Sequence, residues 1–398
     1  MAWFRFALAI EVVCFHTGMG PIAGPVAVIA FFVLSGFLIA RVLTENYLVR
    51  TDGAWSGAGR FYANRLLRLA PAFLAVSLAM MIVCVGAQHA LDLTPAQLPE
   101  YASSIQYDGH ALHTYINGVE PHFAAGWSPV PHIFAGFVWI PQYWTVAFEA
   151  MFYAIAPLLI LLTIKSGRWV FAAAFAVALA FYIWATAKAW GVPGLDDILI
   201  YRNGLSMFVF FFWGAGLYAI SRRTTWRFPL KVAMAVAVVY LLAIGGAWYA
   251  RDSFAHTWIL SNQFWHIFTI LALVPIVLCA PVPRRFTHVD RYLGDLSYGI
   301  YISHFVAITL LRLPAAHYAA EHHKAIATVP TFGSFDTSLL VFRLATIAVS
   351  IAIAVVVLHL VERPVERLRR RVGSRRPEGG AVAPEHDAPD DERALATA

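Results

Sequence analysis

Charge is what this chain of 398 residues has least of: Asp, Glu, Lys and Arg make up 13% of it, against 60% hydrophobic residues. A water-soluble domain carries roughly 25% charged residues. A body able to face water on every side is therefore excluded, and the mean hydropathy of +0.66 agrees. Cysteine is scarce too. Cys14, Cys84 and Cys279 all fall in apolar runs, with neither a pairing framework nor metal-ligand spacing. No internal repeat is visible, and no second soluble domain.

What the chain does have is long apolar runs. A span needs about 20 mostly apolar residues to cross a hydrocarbon core of roughly 30 Å. Candidates lie at about 6–22, 24–43, 69–89, 144–164, 168–187, 204–220, 230–250, 260–281, 294–313 and 339–361. The fold class predicted is an all-α membrane protein, a bundle of about ten transmembrane helices. With the N-terminus placed inside, 23 of the 29 Lys and Arg residues fall on the cytoplasmic side, as cytoplasmic loops require. The predicted topology is thus N-in and C-in, and the net charge of +6 reflects that bias rather than affinity for nucleic acid. Residues 1–364 form the transmembrane domain. Residues 365–398 form a basic juxtamembrane segment (Arg367, Arg369, Arg370, Arg371), suited to anionic headgroups, and a disordered cytoplasmic tail. Stretches at about 90–143 and 314–338 are expected as outer loops, the first an ordered cap.

Ionisable residues within a span cost roughly 2.5–3.5 kcal/mol at a helix centre, so by default they face the bundle interior. Four clusters stand out. Arg5 and His16 are eleven residues apart; at about 100° per residue they share a helix face, separated by roughly 16 Å along the axis. Arg65 and Arg68 also share a face, either as a fork for phosphate or carboxylate or as plain cytoplasmic anchors. Glu149 and Tyr153, one turn apart in the fourth span, need a partner from another span. Ser297, Tyr301 and His304 make one polar stripe on the ninth, with His304 at the same predicted depth as His16. The loop histidines His110, His113, His122 and His132 fit no tight metal pattern, His266 and His359 read as structural or interfacial, and Glu11 has no assigned role.

These clusters, with FFVLSGFLIA at residues 31–40, resemble the acyltransferase-3 family of integral membrane O-acyltransferases. The motifs run in order: Arg5 and His16; FFVLSGFL; Arg65 and Arg68; Trp144, Thr145, Glu149, Phe152, Tyr153 and Pro157; LSYGIYISH ending at His304; and Glu362 with Pro364. Thr145 stands where the family usually has Ser, and residues 26–30 are more apolar than usual. The resemblance implies transfer of an acyl group, acetyl first among the candidates, from cytoplasmic acyl-CoA to a hydroxyl of a cell-surface or lipid-linked carbohydrate, such as lipopolysaccharide O-antigen, exopolysaccharide, a Nod factor or a macrolide sugar. It implies a bacterial cytoplasmic membrane, no permanently bound cofactor and no metal.

Ester formation needs a base for the acceptor hydroxyl and a held acyl group. His16 is expected to be that base, or else a transient acyl carrier, since neutral imidazole suits the task near neutral pH. Glu149 is expected to orient a histidine. His304, with Ser297, Tyr301 and Trp144, is expected to bind the acceptor or the developing oxyanion, while Arg5, Arg65 and Arg68 hold the CoA phosphates. The rival reading is a proton-coupled transporter or flippase of a lipid-linked or small anionic molecule, although such carriers are often built from paired repeats.

Overall fold

The computed structural model describes residues 2–17, 24–48, 54–91, 142–189, 200–201, 203–223, 229, 231–232, 234–236, 238–239, 274–279, 283–321 and 337–373. Among them there is no strand. In chain order the helices are α1 (Ala2–His16), α2 (Gly24–Val42), α3 (Ala54–Ala90), α4 (Tyr143–Ser166), α5 (Arg168–Ala189), α6 (Gly204–Ser221), α7 (Val274–Cys279), α8 (Thr287–Glu321), α9 (Thr337–Val357) and α10 (Arg363–Gly373). A π-helical turn, Leu43–Tyr47, continues α2, and another, Leu358–Glu362, joins α9 to α10.

Among the described residues, 7 helices are long and apolar enough to cross a bilayer. An all-helical membrane protein is thus what the chain forms. Of the expected spans, most of 230–250 and 260–281 lies outside the described residues, as do residues 92–141, the expected outer cap. Helix α1 has 15 residues, and the remainder of the predicted 6–22 run is largely outside the described residues as well. Two expected boundaries need correction. Helix α3 begins at Ala54, well before residue 69, and α8 runs on to Glu321, through the first part of the expected outer loop at 314–338. A hydropathy window ends where charge begins, but an α-helix satisfies its own backbone in water and lipid alike and need not stop there. Arg60, Arg65 and Arg68 therefore sit on the body of α3 rather than in a loop before it.

Lipid tails are as apolar as Leu, so the helices are not driven together by apolar burial; close packing of small residues does that work. Helices α2 and α6 show it. A Cβ placed on Gly36 would lie 2.0 Å from the Phe211 carbonyl oxygen, and one on Gly214 would lie 1.9 Å from that of Val33. Only two glycines facing each other permit this crossing. Phe211 then stacks on Phe32 at 4.7 Å and on Phe152 at 4.6 Å, ring centroid to centroid, tying α2, α4 and α6 into one aromatic seam. Helix α2 is the axis of the bundle. Its most apolar window is 72% buried, whereas that of α5 is 11% buried, so α5 is peripheral and packs on α6 through one face that holds Ala178, Tyr182 and Ala185. This explains why α2 is apolar all round, with Ser35 as the lone hydroxyl in its run.

Helices α1 and α8 run side by side in the same sense. At one end the Trp3 backbone N–H donates to Asp290 Oδ1 (2.7 Å), and at the other His16 meets His304. Helix α9 returns antiparallel against α8, with Ser303 donating to the Ser350 carbonyl (3.4 Å).

Candidate active site

Two polar ladders face each other across the bundle. On α4 and its N-cap they are Gln142, Thr145, Glu149 and Tyr153, spaced three or four residues apart, so one helix face carries all four. On α8 they are Ser297, Tyr301 and His304, again on one face. The upper rungs pair level by level. Gln142 Nε2 donates to the carbonyl oxygens of Tyr301 (3.1 Å) and Ile302 (2.7 Å). One turn down, the Thr145 and Tyr301 hydroxyls are 2.8 Å apart. Thr145 spends its single proton on the Gln142 carbonyl (2.9 Å), so Tyr301 is the donor of that pair. Another turn down, Glu149 Oε1 accepts from Ser35 Oγ (2.9 Å) on α2 and from the Tyr153 hydroxyl.

Below these rungs lies a cavity in two compartments. The deeper one has a volume of about 60 Å³ and is lined by Arg5, Ser35, Thr145, Glu149, Ser297, Tyr298 and Tyr301, with apolar walls from Val28, Phe31, Phe32 and Val146. The second compartment, more open, has a volume of about 310 Å³ and adds Arg65, Arg68, Arg291, Asp295 and Tyr153. Arg5, Phe31, Ser35 and Glu149 line both, so the two adjoin. Four guanidinium groups, those of Arg5, Arg65, Arg68 and Arg291, thus line the second compartment. Arg65 lies over the Tyr153 and Phe61 rings, 5.6 and 5.4 Å from their centroids, which holds its charge in place. Glu362, from the closing motif, reaches the same neighbourhood. Its charge interacts with those of Arg68, Asp295 and Arg5, and its Oε1 is buried with no hydrogen-bond partner. It ends a π-helical turn, a distortion found disproportionately at functional sites.

The histidines lie at the far end, beyond Tyr301. The His16 and His304 rings stack with centroids 5.2 Å apart and 25° between planes. Phe305 packs against both, at 4.7 and 4.4 Å. The Tyr301 ring is 6.0 Å from His304 and 5.8 Å from Phe31. Tyr301 therefore stands as a partition, wetted on one side by the cavity and backed on the other by imidazole. His304 is fully buried. Just past His16, Arg343 Nε on α9 donates to the Thr17 carbonyl (3.2 Å) at the end of α1.

The structure brings together Arg5, Arg65, Arg68, Glu149, Ser297 and Tyr301 around the cavity, and His16 with His304 above it. Three expectations change. Glu149 is held by hydroxyls of Ser35 and Tyr153 rather than by an imidazole, because it sits two turns below the histidines on α4. Trp144 lines neither compartment; its ring packs edge-on against Phe148 (5.6 Å) and Tyr201 (4.9 Å), in the core. The Ser297 hydroxyl donates to the Gly294 carbonyl (2.7 Å), so its free capacity toward the cavity is as an acceptor. Ser35, Gln142, Arg291, Asp295 and Tyr298 were not anticipated. A signal existed for Ser35, the one hydroxyl in an apolar run, and for Gln142, which extends the Glu149–Tyr153 spacing upward by whole turns. None existed for Arg291, which hydropathy places in a loop; Asp295 falls at the very start of the expected ninth span, where a charge reads as a span end. Among the described residues no group of His, Cys, Asp and Glu is placed to hold a metal ion, and the loop histidines lie outside them.

A sequence model described as an acyltransferase domain matches residues 1–359 of the 398. Searches of curated proteins and of solved structures return no match. The match spans α1 to α9, and so takes in both ladders, the guanidinium-lined cavity and the stacked histidines; the chain belongs to the acyltransferase-3 family and is a multi-pass membrane acyltransferase.

Proposed function

We propose that the protein moves an acyl group, acetyl in the simplest case, from cytoplasmic acyl-CoA to a hydroxyl of a cell-surface or lipid-linked carbohydrate, in a bacterial cytoplasmic membrane with both termini inside. The observation that carries this reading is the pair of adjoining compartments, one lined by Arg65, Arg68 and Arg291, the other reaching Tyr301, with Arg5 on the walls of both. CoA is a polyanion on a thin, largely neutral arm. Planar guanidinium groups grip its phosphates in pairs of parallel hydrogen bonds, and the narrowing, hydroxyl-lined interior suits the thioester end. Glu149, fixed by Ser35 and Tyr153, balances Arg5 at the constriction. The stacked His16 and His304 then supply the proton-accepting nitrogen that ester formation needs, entered from the opposite side by the acceptor.

The test is mass spectrometry of surface glycans from cells expressing the wild type or His16→Ala in a deletion background. The expected result is loss of an alkali-labile acyl group with the glycan otherwise intact. Loss of the whole glycan, or no change, overturns the reading, and the former would favour transport.

A further inference from the structure

Two buried polar atoms in the outer part of the site have no hydrogen-bond partner: His304 Nε2 and Gln142 Oε1. Both residues are nine-tenths or more buried, and an unpaired polar atom in such a place calls for an explanation. The partners on their other sides fix what these atoms are. His304 Nδ1 lies 2.6 Å from the Tyr301 carbonyl oxygen. A carbonyl only accepts, so Nδ1 carries the ring proton and, in the neutral imidazole, Nε2 is a bare lone pair. The Gln142 amide faces the carbonyls of Tyr301 and Ile302, which again only accept, so its NH2 must point at them and Oε1 away. Ring tautomer and amide orientation thus follow from chemistry. Both donors are spent on the same turn of α8, where the Tyr301 carbonyl receives one from each side chain, and two bare acceptors are left on residues that do not line the guanidinium cavity.

We infer that Gln142 Oε1 and His304 Nε2 form the acceptor subsite of the acyl transfer, receiving two hydroxyl groups of one polyhydroxylated molecule, and that His304 Nε2 takes the proton of the hydroxyl that is acylated. A pair of acceptors with no donor between them matches a ligand that offers O–H groups, and mismatches one that offers only carbonyl or carboxylate oxygens. The inference rests on the thioester donor of the preceding section. As proton passes to Nε2, the acceptor oxygen bonds to the thioester carbonyl carbon, the C–S bond breaks, and the leaving thiolate recovers the proton from the imidazolium, giving ester and free thiol. The Tyr301 carbonyl, holding Nδ1–H, steadies the ring as a third group does in other histidine bases. Gln142 is a binding residue that the sequence motifs did not single out.

Two measurements on the full chain in lipid nanodiscs test it. The first is the 15N spectrum of ring-labelled histidines, with His304→Gln identifying the His304 signals. A protonated Nδ1 and a bare Nε2 are expected; the reverse tautomer overturns the inference, whatever the acceptor. The second uses membranes of a deletion strain expressing each variant, given acetyl-CoA labelled in its acetyl group. Gln142→Lys keeps a donor for both carbonyls and lacks any acceptor. It is expected to lower alkali-labile label about tenfold, as loss of a hydrogen bond does, while labelled acetyl-CoA binding stays within about twofold. His304→Gln is expected to lower label by about a hundredfold or more, the scale of a lost general base, with donor binding again retained. Wild-type transfer by Gln142→Lys overturns the inference alone, showing that the two atoms are satisfied by protein-bound water only. A wild-type chain that neither binds nor consumes acetyl-CoA overturns the proposed function instead, and the nitrogen spectrum then decides the tautomer independently.

Discussion

The two ends of the site are built on opposite principles. The guanidinium end, the inner one in the proposed topology, is an open compartment with Arg5, Arg65, Arg68 and Arg291 on its walls and Glu149, Asp295 and Glu362 among them. Every charge there has a counter-charge or an aromatic face, and the space is large. The outer end is closed and almost uncharged: two stacked imidazoles, a phenylalanine, a glutamine amide and backbone carbonyls. Charges gather where water enters and the phosphates of a ligand can be gripped. Neutral hydrogen-bonding groups gather where a charge would be costly to bury and where the proton must be taken. A single side chain, Tyr301, hydrogen-bonded to Thr145, divides the two. The comparison teaches that binding and chemistry are separated by about one helical turn, with α4 and α8 carrying a rung of each.

If that division is right, lesions at the two ends differ in kind. The largest effect is expected at the outer end. His16→Ala, which strips away the ring stacked on His304, should reduce the rate of acyl transfer by about 10²–10⁴-fold, the range for a disabled proton-transfer site, with donor affinity unchanged by equilibrium binding of labelled acetyl-CoA. A parallel fall in donor affinity would break the comparison. At the inner end, Arg68→Ala should raise the donor KM by about ten- to a hundredfold, since a hydrogen bond to a charged group contributes about 1.5–3 kcal/mol. Its kcat should stay near that of the wild type, because the interaction is made equally in ground and transition states. Progress curves over a range of acetyl-CoA concentrations separate the two.

A third lesion touches neither end. Gly36→Val would drive a side chain into the Phe211 carbonyl and should cost about 1–3 kcal/mol through overpacking. It is read as a lower unfolding temperature in detergent, relieved by bound CoA if folding survives. Smallest of all, Tyr153→Phe removes one of two hydroxyls holding Glu149 and should cost about 1 kcal/mol. Because Ser35 remains, the expected change is a few-fold in donor KM.

How much of this was legible beforehand depends on the kind of signal. Apolar runs announce spans because lipid demands them, and α2, α4, α5 and α6 were found within a few residues of their observed ends. Helix α3 was cut short because hydropathy reports the lipid boundary and says nothing of helix beyond it. The meeting of His16 with His304 could be anticipated as equal depth from equal spacing, since α1 and α8 run in the same sense. Sequence could not assign Glu149 its partners, because Ser35 is more than 100 positions away in the chain and nothing local marks which face of α2 turns toward α4. Gln142 escaped notice for a different reason. Its partners are backbone carbonyls, which every residue has and no motif records.

The most direct measurement is a cryo-electron microscopy structure of the chain in nanodiscs with CoA bound. The account predicts the CoA phosphates against Arg65 and Arg68, and the thiol end past Arg5 and Glu149, stopping beneath Tyr301 with His16 and His304 beyond it. CoA seated on the histidine side of Tyr301, or lying outside the guanidinium cavity altogether, would contradict it.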